Sequence, residues 1–277
     1  MVGTVCLTFD FDATSLWIAR GMASPGPLSR GEFGAVAIPR LLRLLDERSL
    51  PATFYTPGHT AETYPDLVRQ IADGGHELAL HGYCHEPVSS LSQAAERDVL
   101  LRSADVLEHL AGTRPVGNRT PSWDFTEHTV DVLLELGVSY DSSLMGHDYL
   151  PYLARTGDRW PADAPYHFGD TTNLVEIPVS WTLDDYPALE YVRTPDIVMP
   201  GLRRPQEVFA NWVDDVRYML RELDDGVCVL TFHPQVIGRG HRMLALEALV
   251  DELTELGVGF ARVDTVAAAW REGRHRG

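Results

Sequence analysis

Gly75-His-Glu-Leu-Ala-Leu-His81-Gly-Tyr-Cys-His85 decides the fold and the chemistry of this chain. Leu78 to Leu80 read as a short buried strand that runs into two histidines four residues apart. If the segment after the strand makes one helical turn, His81 and His85 share a face, and two neutral imidazoles on one face chelate a transition metal. Such a pair still lacks an oxygen ligand. Asp10-Phe11-Asp12 supplies one at the end of a first apolar run, residues 2–9. In an extended strand, residues i and i+2 point to the same side, so both aspartates enter one pocket. The pattern is a two-histidine, one-carboxylate metal site with a spare carboxylate beside it.

The rest of the chain supports a soluble α/β enzyme. It has 277 residues, 44% hydrophobic and 23% charged, enough for a substantial core. A net charge of -17 argues against nucleic acid and anionic membranes as partners. No stretch approaches the roughly 18 apolar residues of a membrane helix. No basic, apolar leader precedes the first strand, so the sequence predicts a cytoplasmic protein. Cys6, Cys84 and Cys228 are too few and too scattered for a disulfide framework and read as reduced thiols.

Taken in order, strands are expected at 2–9, 51–55, 78–80, 116–119, 138–140, 174–179, 227–232 and 258–261. Helices are expected at 38–47, 64–72, 92–111, 127–136, 205–223, 243–256 and 265–271. Ser90 or Ser92 would cap the 92–111 helix, and Gly112 would end it. Residues 13–35, 145–172 and 186–204 read as loops, the first two long enough to close over a site. The alternation predicts a parallel sheet, and seven or eight such units predict a distorted (β/α) barrel in one domain spanning 1–277. Asp10, Asp12, His81, Arg119, Trp181, Asp184, Asp185 and His233 all follow strand ends, where a barrel carries its catalytic face. His59 sits in a similar place. Trp123, Tyr149, Tyr152 and Trp181 are candidate pocket aromatics. The acidic runs near 184 and 224 read as solvated turns, with Asp185 favoured as a substrate contact by its position after Trp181.

With these pieces in hand, the chain resembles the polysaccharide deacetylase family. Thr8-Phe-Asp-Phe-Asp12, His81-Gly-Tyr-Cys-His85, Arg119-Thr-Pro and Leu230-Thr-Phe-His-Pro234 match that family's motifs in order. The resemblance implies a distorted (β/α) barrel of seven or eight strands. It also implies a divalent metal, commonly Zn2+, on Asp12, His81 and His85, with Asp10 as base and His233 as acid. Phe11 between the aspartates, Ala13 after them and Tyr140-Asp-Ser-Ser-Leu-Met145 resemble an intracellular branch. That branch contains peptidoglycan-deacetylase-like proteins, cyclic-imide hydrolases and a metal-free allantoinase type, and its members tend to be homo-oligomers.

The expected reaction is hydrolysis of a non-peptide C–N bond, in an N-acetylated sugar or a related amide. The alternatives are a cyclic-imide or ureide hydrolase acting on a small molecule and, behind it, a binding protein without catalysis. Arg119 would orient Asp10 through a two-point guanidinium contact. A backbone N–H near Tyr83 or Trp123 would hold the oxyanion. His59, Tyr83, Trp123, Trp181 and Asp185 are the expected substrate contacts.

Overall fold

The computed structural model describes residues 3–193 and 198–274. Its strands, in chain order, are β1 (Thr4–Asp10), β2 (Thr53–Thr56), β3 (Glu77–Leu80), β4 (Gly117–Asn118), β5 (Tyr140–Asp141), β6 (Tyr152–Thr156), β7 (Asp170–Glu176), β8 (Val192–Arg193), β9 (Val198–Met199), β10 (Val227–Phe232) and β11 (Gly259–Phe260). The main sheet runs β10-β1-β2-β3-β4-β5-β7-β6, with β11 paired to the start of β1. All pairings are parallel from β10 to β7, and β6 returns antiparallel along the edge of β7. Past β7 the chain meets β10 again through a parallel bridge between Asp184 and Thr231. One bridge in place of a ladder makes this a distorted, curled barrel of eight strands, the expected fold.

Burial explains why the parallel strands read as unbroken apolar runs. Both faces of β10 and nearly all of β1 are buried, as they are wherever a parallel sheet is covered on both sides. Phe9 lies between Phe54 and Phe232, with ring centroids 4.9 and 5.5 Å away. Helices cover the outside. The 93–111 helix starts at Ser92, whose Oγ accepts the Ala95 N–H, and ends at Gly112 in the left-handed region (φ 73°). No helix among the described residues is long and apolar enough to cross a membrane.

Three expected loops contain regular structure. Residues 13–35 hold a short helix (Ser15–Ala19) and the first half of a 23-residue helix (Pro25–Glu47). Gly31 reads as a loop signal but serves packing. A Cβ on Gly31 would stand 2.4 Å from the Ala13 carbonyl oxygen, so only glycine lets this helix pass the end of β1. Residues 145–172 carry β6 and the start of β7, a twisted pair extended by a bridge between Arg159 and His167. Residues 186–204 include most of a helical turn (Asp185–Leu189), β8 and β9, with 194–197 outside the described residues.

Candidate active site

Sheet register brings the motif residues together. Phe9 pairs with Phe232, so Asp10 and His233 emerge side by side. Leu80 pairs with Asn118, which sets His81 beside Arg119. The segment after β3 is a turn and not the helical turn expected. Gly82 (φ 66°) and His85 (φ 59°) both take left-handed backbone, and this folds His85 back towards His81, with ring centroids 5.1 Å apart. Glu86 holds the turn by accepting the Tyr83 and Cys84 N–H groups.

Asp12, His81 and His85 form the first cluster, all buried, with one ligand atom from each within 4.8 Å of the others. Asp12 Oδ1 lies 3.4 Å from His81 Nε2 and 3.8 Å from His85 Nε2. Fully buried, that oxygen has no hydrogen-bond partner. His81 Nδ1 donates to the Arg119 carbonyl at 2.8 Å, which leaves Nε2 as the free nitrogen. An orphaned buried carboxylate oxygen facing two imidazole nitrogens is the donor set a divalent cation requires. The residues present therefore fit a metal. Burial pushes His85 down to about 4 and keeps it neutral. For Asp12, burial alone would raise the carboxyl, but His85, His81 and His233 outweigh it and hold it well below the usual range.

The second cluster stands opposite. His233 Nδ1 is 2.9 Å from Asp185 Oδ1, which also accepts the His233 backbone N–H, and 3.5 Å from Asp184. Its Nε2 faces Asp10 and Asp12, at 4.0 and 3.8 Å. Burial opposes the imidazolium, but the charge of Asp184, the Asp185 hydrogen bond and the charges of Asp185 and Asp12 lift His233 to about 10. Burial in turn lifts Asp184 to about 7 against the pull of His233.

Asp10 lies between the clusters. Arg119, fully buried, donates from Nη1 to Asp10 Oδ1 at 2.7 Å and to Thr8 Oγ1 at 2.9 Å. Its Nε and Nη2 bond the Ser142 carbonyl and hydroxyl, and its guanidinium stacks 4.0 Å from the Tyr55 ring. One nitrogen thus reaches Asp10, where a two-point contact was expected. The second Asp10 oxygen is left facing His81 and His233.

A cavity of about 260 Å³ opens on these groups. Trp123 and Trp181 wall it, with ring centroids 4.1 Å apart, and Leu16, Arg20, Tyr186 and Met199 complete it. Several expected contacts fall elsewhere. His59 packs behind the site, Nδ1 against Ser15 Oγ. Tyr83 turns outward to bond Glu62 under the Arg102 guanidinium. Asp185 is buried behind His233 and does not line the cavity. Tyr149 bonds Asp215, and Tyr152 accepts the Gly146 N–H, both away from the cavity. Of the N–H groups near Tyr83 and Trp123, where an oxyanion contact was expected, those of the two residues themselves are spent within turns, Tyr83 on Glu86 and Trp123 on the Thr120 carbonyl. Of the loops expected to close the site, 145–172 lines no part of the cavity.

Sequence reasoning placed Asp184 at a strand end without giving it a role, and missed Arg20 and Tyr186. Asp184 sits in an acidic run that resembles a solvated turn, yet it is buried. Arg20 bonds the Tyr186 hydroxyl at 2.8 Å across 166 residues, a contact with no local signal.

Strand-end histidines and aspartates on a distorted parallel barrel define a class of hydrolase, and comparison with known proteins agrees. The polysaccharide deacetylase pattern matches residues 3–140. The chain is 37% identical to the peptidoglycan deacetylase of Helicobacter pylori over 260 residues, 89% of this chain and 88% of that one. It is 32% identical to a peptidoglycan deacetylase-like protein of Gibberella zeae over 278 residues, 91% and 81%. Among solved structures, a polysaccharide deacetylase homologue from Mycobacterium smegmatis superposes with a TM-score of 0.85 at 35% identity, over 99% of this chain and 91% of that one. An allantoinase shares the fold (TM-score 0.77, 20% identity, 97% and 90%). The chain belongs to the polysaccharide deacetylase family and is a hydrolase of carbon–nitrogen bonds other than peptide bonds.

Proposed function

We propose that the chain, acting as one catalytic domain, is a metal-dependent N-deacetylase of an acetylated amino sugar. One observation carries the reading: the partnerless Asp12 Oδ1 faces His81 and His85 beside two further ionisable groups, Asp10 and His233. Asp12, His81 and His85 would hold a divalent cation. A two-histidine, one-carboxylate set suits Zn2+. When bound, the ion supplies Lewis-acid polarisation of the amide carbonyl and lowers the pKa of a nearby water.

The chain's own residues do the rest. Arg119 fixes Asp10 from one side and leaves Asp10 Oδ2 free to take the proton of the attacking water. His233 is oriented at Nδ1 by Asp185, presents Nε2 to the cavity, and carries the proton that the departing amine needs. Trp123 and Trp181 form an apolar wall against which one sugar ring can stack. The peptidoglycan deacetylase of Helicobacter pylori makes an N-acetylated cell-wall sugar the first substrate to test.

A second reading keeps the same groups and replaces the sugar with a small cyclic imide. The cavity's modest volume favours it. Its expected lid does not: of the two long segments, only the end of 13–35 nearest β1 contributes, through Leu16 and Arg20. The free cysteines fit a reducing, cytoplasmic setting. Homo-oligomerisation is carried over from the family branch. Incubation with an N-acetylated amino-sugar oligomer and with a cyclic imide separates the readings: acetate release supports the first, and ring opening without acetate overturns it in favour of the second.

A further inference from the structure

The stretch Tyr140-Asp-Ser-Ser-Leu144 has no part in the chemistry above, yet it carries the residues that hold Arg119. Asn118, Asp141 and Glu176 pair in register across β4, β5 and β7, forming one polar row in the sheet interior. All three are fully buried. Asn118 Nδ2 donates to Asp141 Oδ1 at 2.6 Å. Glu176 Oε1 accepts the Ser143 and Leu144 N–H groups at 2.9 and 2.8 Å. The remaining oxygens, Asp141 Oδ2 and Glu176 Oε2, have no donor.

Directly after this row comes the cradle of Arg119. The Ser142 carbonyl and hydroxyl accept Arg119 Nε and Nη2 at 2.9 and 3.2 Å. Ser143 Oγ accepts the Thr120 N–H at 2.9 Å. Ser142, directly after β5, takes two of the guanidinium's nitrogens, so together with Thr8 and Tyr55 it sets the height of the guanidinium, and with it the Asp10 carboxylate 2.7 Å away.

We infer that Asp141 and Glu176 share one proton, and that this pair acts as a positioning device for Arg119 and hence for Asp10. Two adjacent buried carboxylates cannot both ionise, so one keeps a proton and donates it to the other. A proton on Glu176 Oε2 satisfies both carboxyls: Oε1 still accepts two N–H groups, and Asp141 accepts from Asn118 and from Glu176. Burial raises both carboxyls, and the Asp141 charge and hydrogen bond lift Glu176 further, well above its ordinary value. The alternative filler of this gap is a cation, since Asn118 Oδ1 is also unpartnered.

The inference rests on the proposed role of Arg119, and its test reads the pair separately from the activity. Glu176→Gln keeps an acceptor and a donor in place, whereas Glu176→Ala removes both. Infrared spectroscopy of the wild-type protein should show a buried protonated-carboxyl C=O band that is absent in Glu176→Gln. No such band in the wild type would overturn the shared proton and favour a cation. On the substrate that the wild type hydrolyses, Glu176→Gln should keep kcat within about twofold. Glu176→Ala should lose roughly 10²-fold in kcat, the scale of a 1 Å misplacement, with KM within about twofold and metal content unchanged. Wild-type kcat in Glu176→Ala would overturn the positioning role, and equal damage in both variants would overturn the shared proton. If the wild type hydrolyses neither substrate class, the proposed function fails. The infrared band and the Arg119–Asp10 distance in a Glu176→Ala crystal then decide the inference, a distance unchanged from 2.7 Å counting against it.

Discussion

Two buried clusters of aspartate and histidine face each other across one cavity, and the same residue types are set to opposite tasks. In the first, one carboxylate serves two imidazoles, Asp12 with His81 and His85. In the second, two carboxyls surround one imidazole, Asp184 and Asp185 around His233. The surroundings of each ring decide its protonation: Asp10 and Asp12 together raise His81 against its burial, while His85 and His233 diverge. His85 has too little negative charge nearby to offset its burial, so it sits at about 4 and stays neutral, as a metal ligand must. His233 has more than enough, so it sits at about 10 and stays charged, as a proton donor must. Both groups of three could geometrically hold an ion. Each has an orphaned carboxylate oxygen, Asp12 Oδ1 and Asp185 Oδ2; what separates them is that Asp12 Oδ1 faces two imidazole Nε2 atoms at 3.4 and 3.8 Å, whereas the one imidazole of the second group already bonds Asp185 Oδ1 through Nδ1.

The largest effect should come from breaking the first cluster. His81→Ala or His85→Ala is expected to reduce bound metal, measured by elemental analysis, and activity together to background. Metal retained at wild-type stoichiometry in both variants would move the ion to the second cluster.

Next in size is the group between the clusters. Asp10→Asn is expected to keep the metal and lose roughly 10²–10⁴-fold in kcat, the usual share of a general base. The amide keeps an acceptor for Arg119, whose guanidinium loses its buried counter-charge, a break of the kind that costs about 3–5 kcal/mol when one partner is removed outright. Full turnover in this variant would remove Asp10 from the chemistry.

Asp185→Asn should have a smaller and more specific effect, a loss of roughly 10–100-fold, since Asp185 orients a catalytic group and does not touch substrate. It also removes a charge that lifts His233, so activity should fall at lower pH than in the wild type as pH rises. His233 is raised on folding, so its contribution to stability is fully present below its ordinary value near 6.5 and is lost as pH rises through about 10. Melting temperatures of chelated protein across that window should converge between wild type and variant only at the alkaline end.

Tyr83→Phe should have the smallest effect, with kcat and KM within about twofold, because its hydroxyl serves a surface contact of the kind worth little. A large loss would mean that the turn holding His85 depends on that contact.

How far the sequence reveals this site depends on how each residue is held. Asp10, His81 and His233 follow apolar runs directly, and strand register does the rest, so hydrophobic pattern and residue type place them. The close approach of His85 depends on left-handed backbone at Gly82 and at His85 itself, which spacing alone reads as a helical turn. Gly31 resembles a loop residue because glycine's use in close packing leaves the same mark as its use in a turn. Asp184 and Asp185 resemble a solvated run because burial is a property of the fold around them. β4 and β5 are expected as strands, but two residues each do not fix their register, so the Asn118–Asp141–Glu176 row emerges only from their pairing.

The measurement that tests the central claim most directly is metal content of the purified protein alongside hydrolysis of an N-acetylated amino-sugar oligomer, before and after chelation. About one divalent ion per chain, with acetate release lost on chelation and restored by Zn2+, is the predicted result. Full activity in protein stripped of metal would contradict it, and would leave Asp12, His81 and His85 as a buried cluster without the role that its geometry assigns.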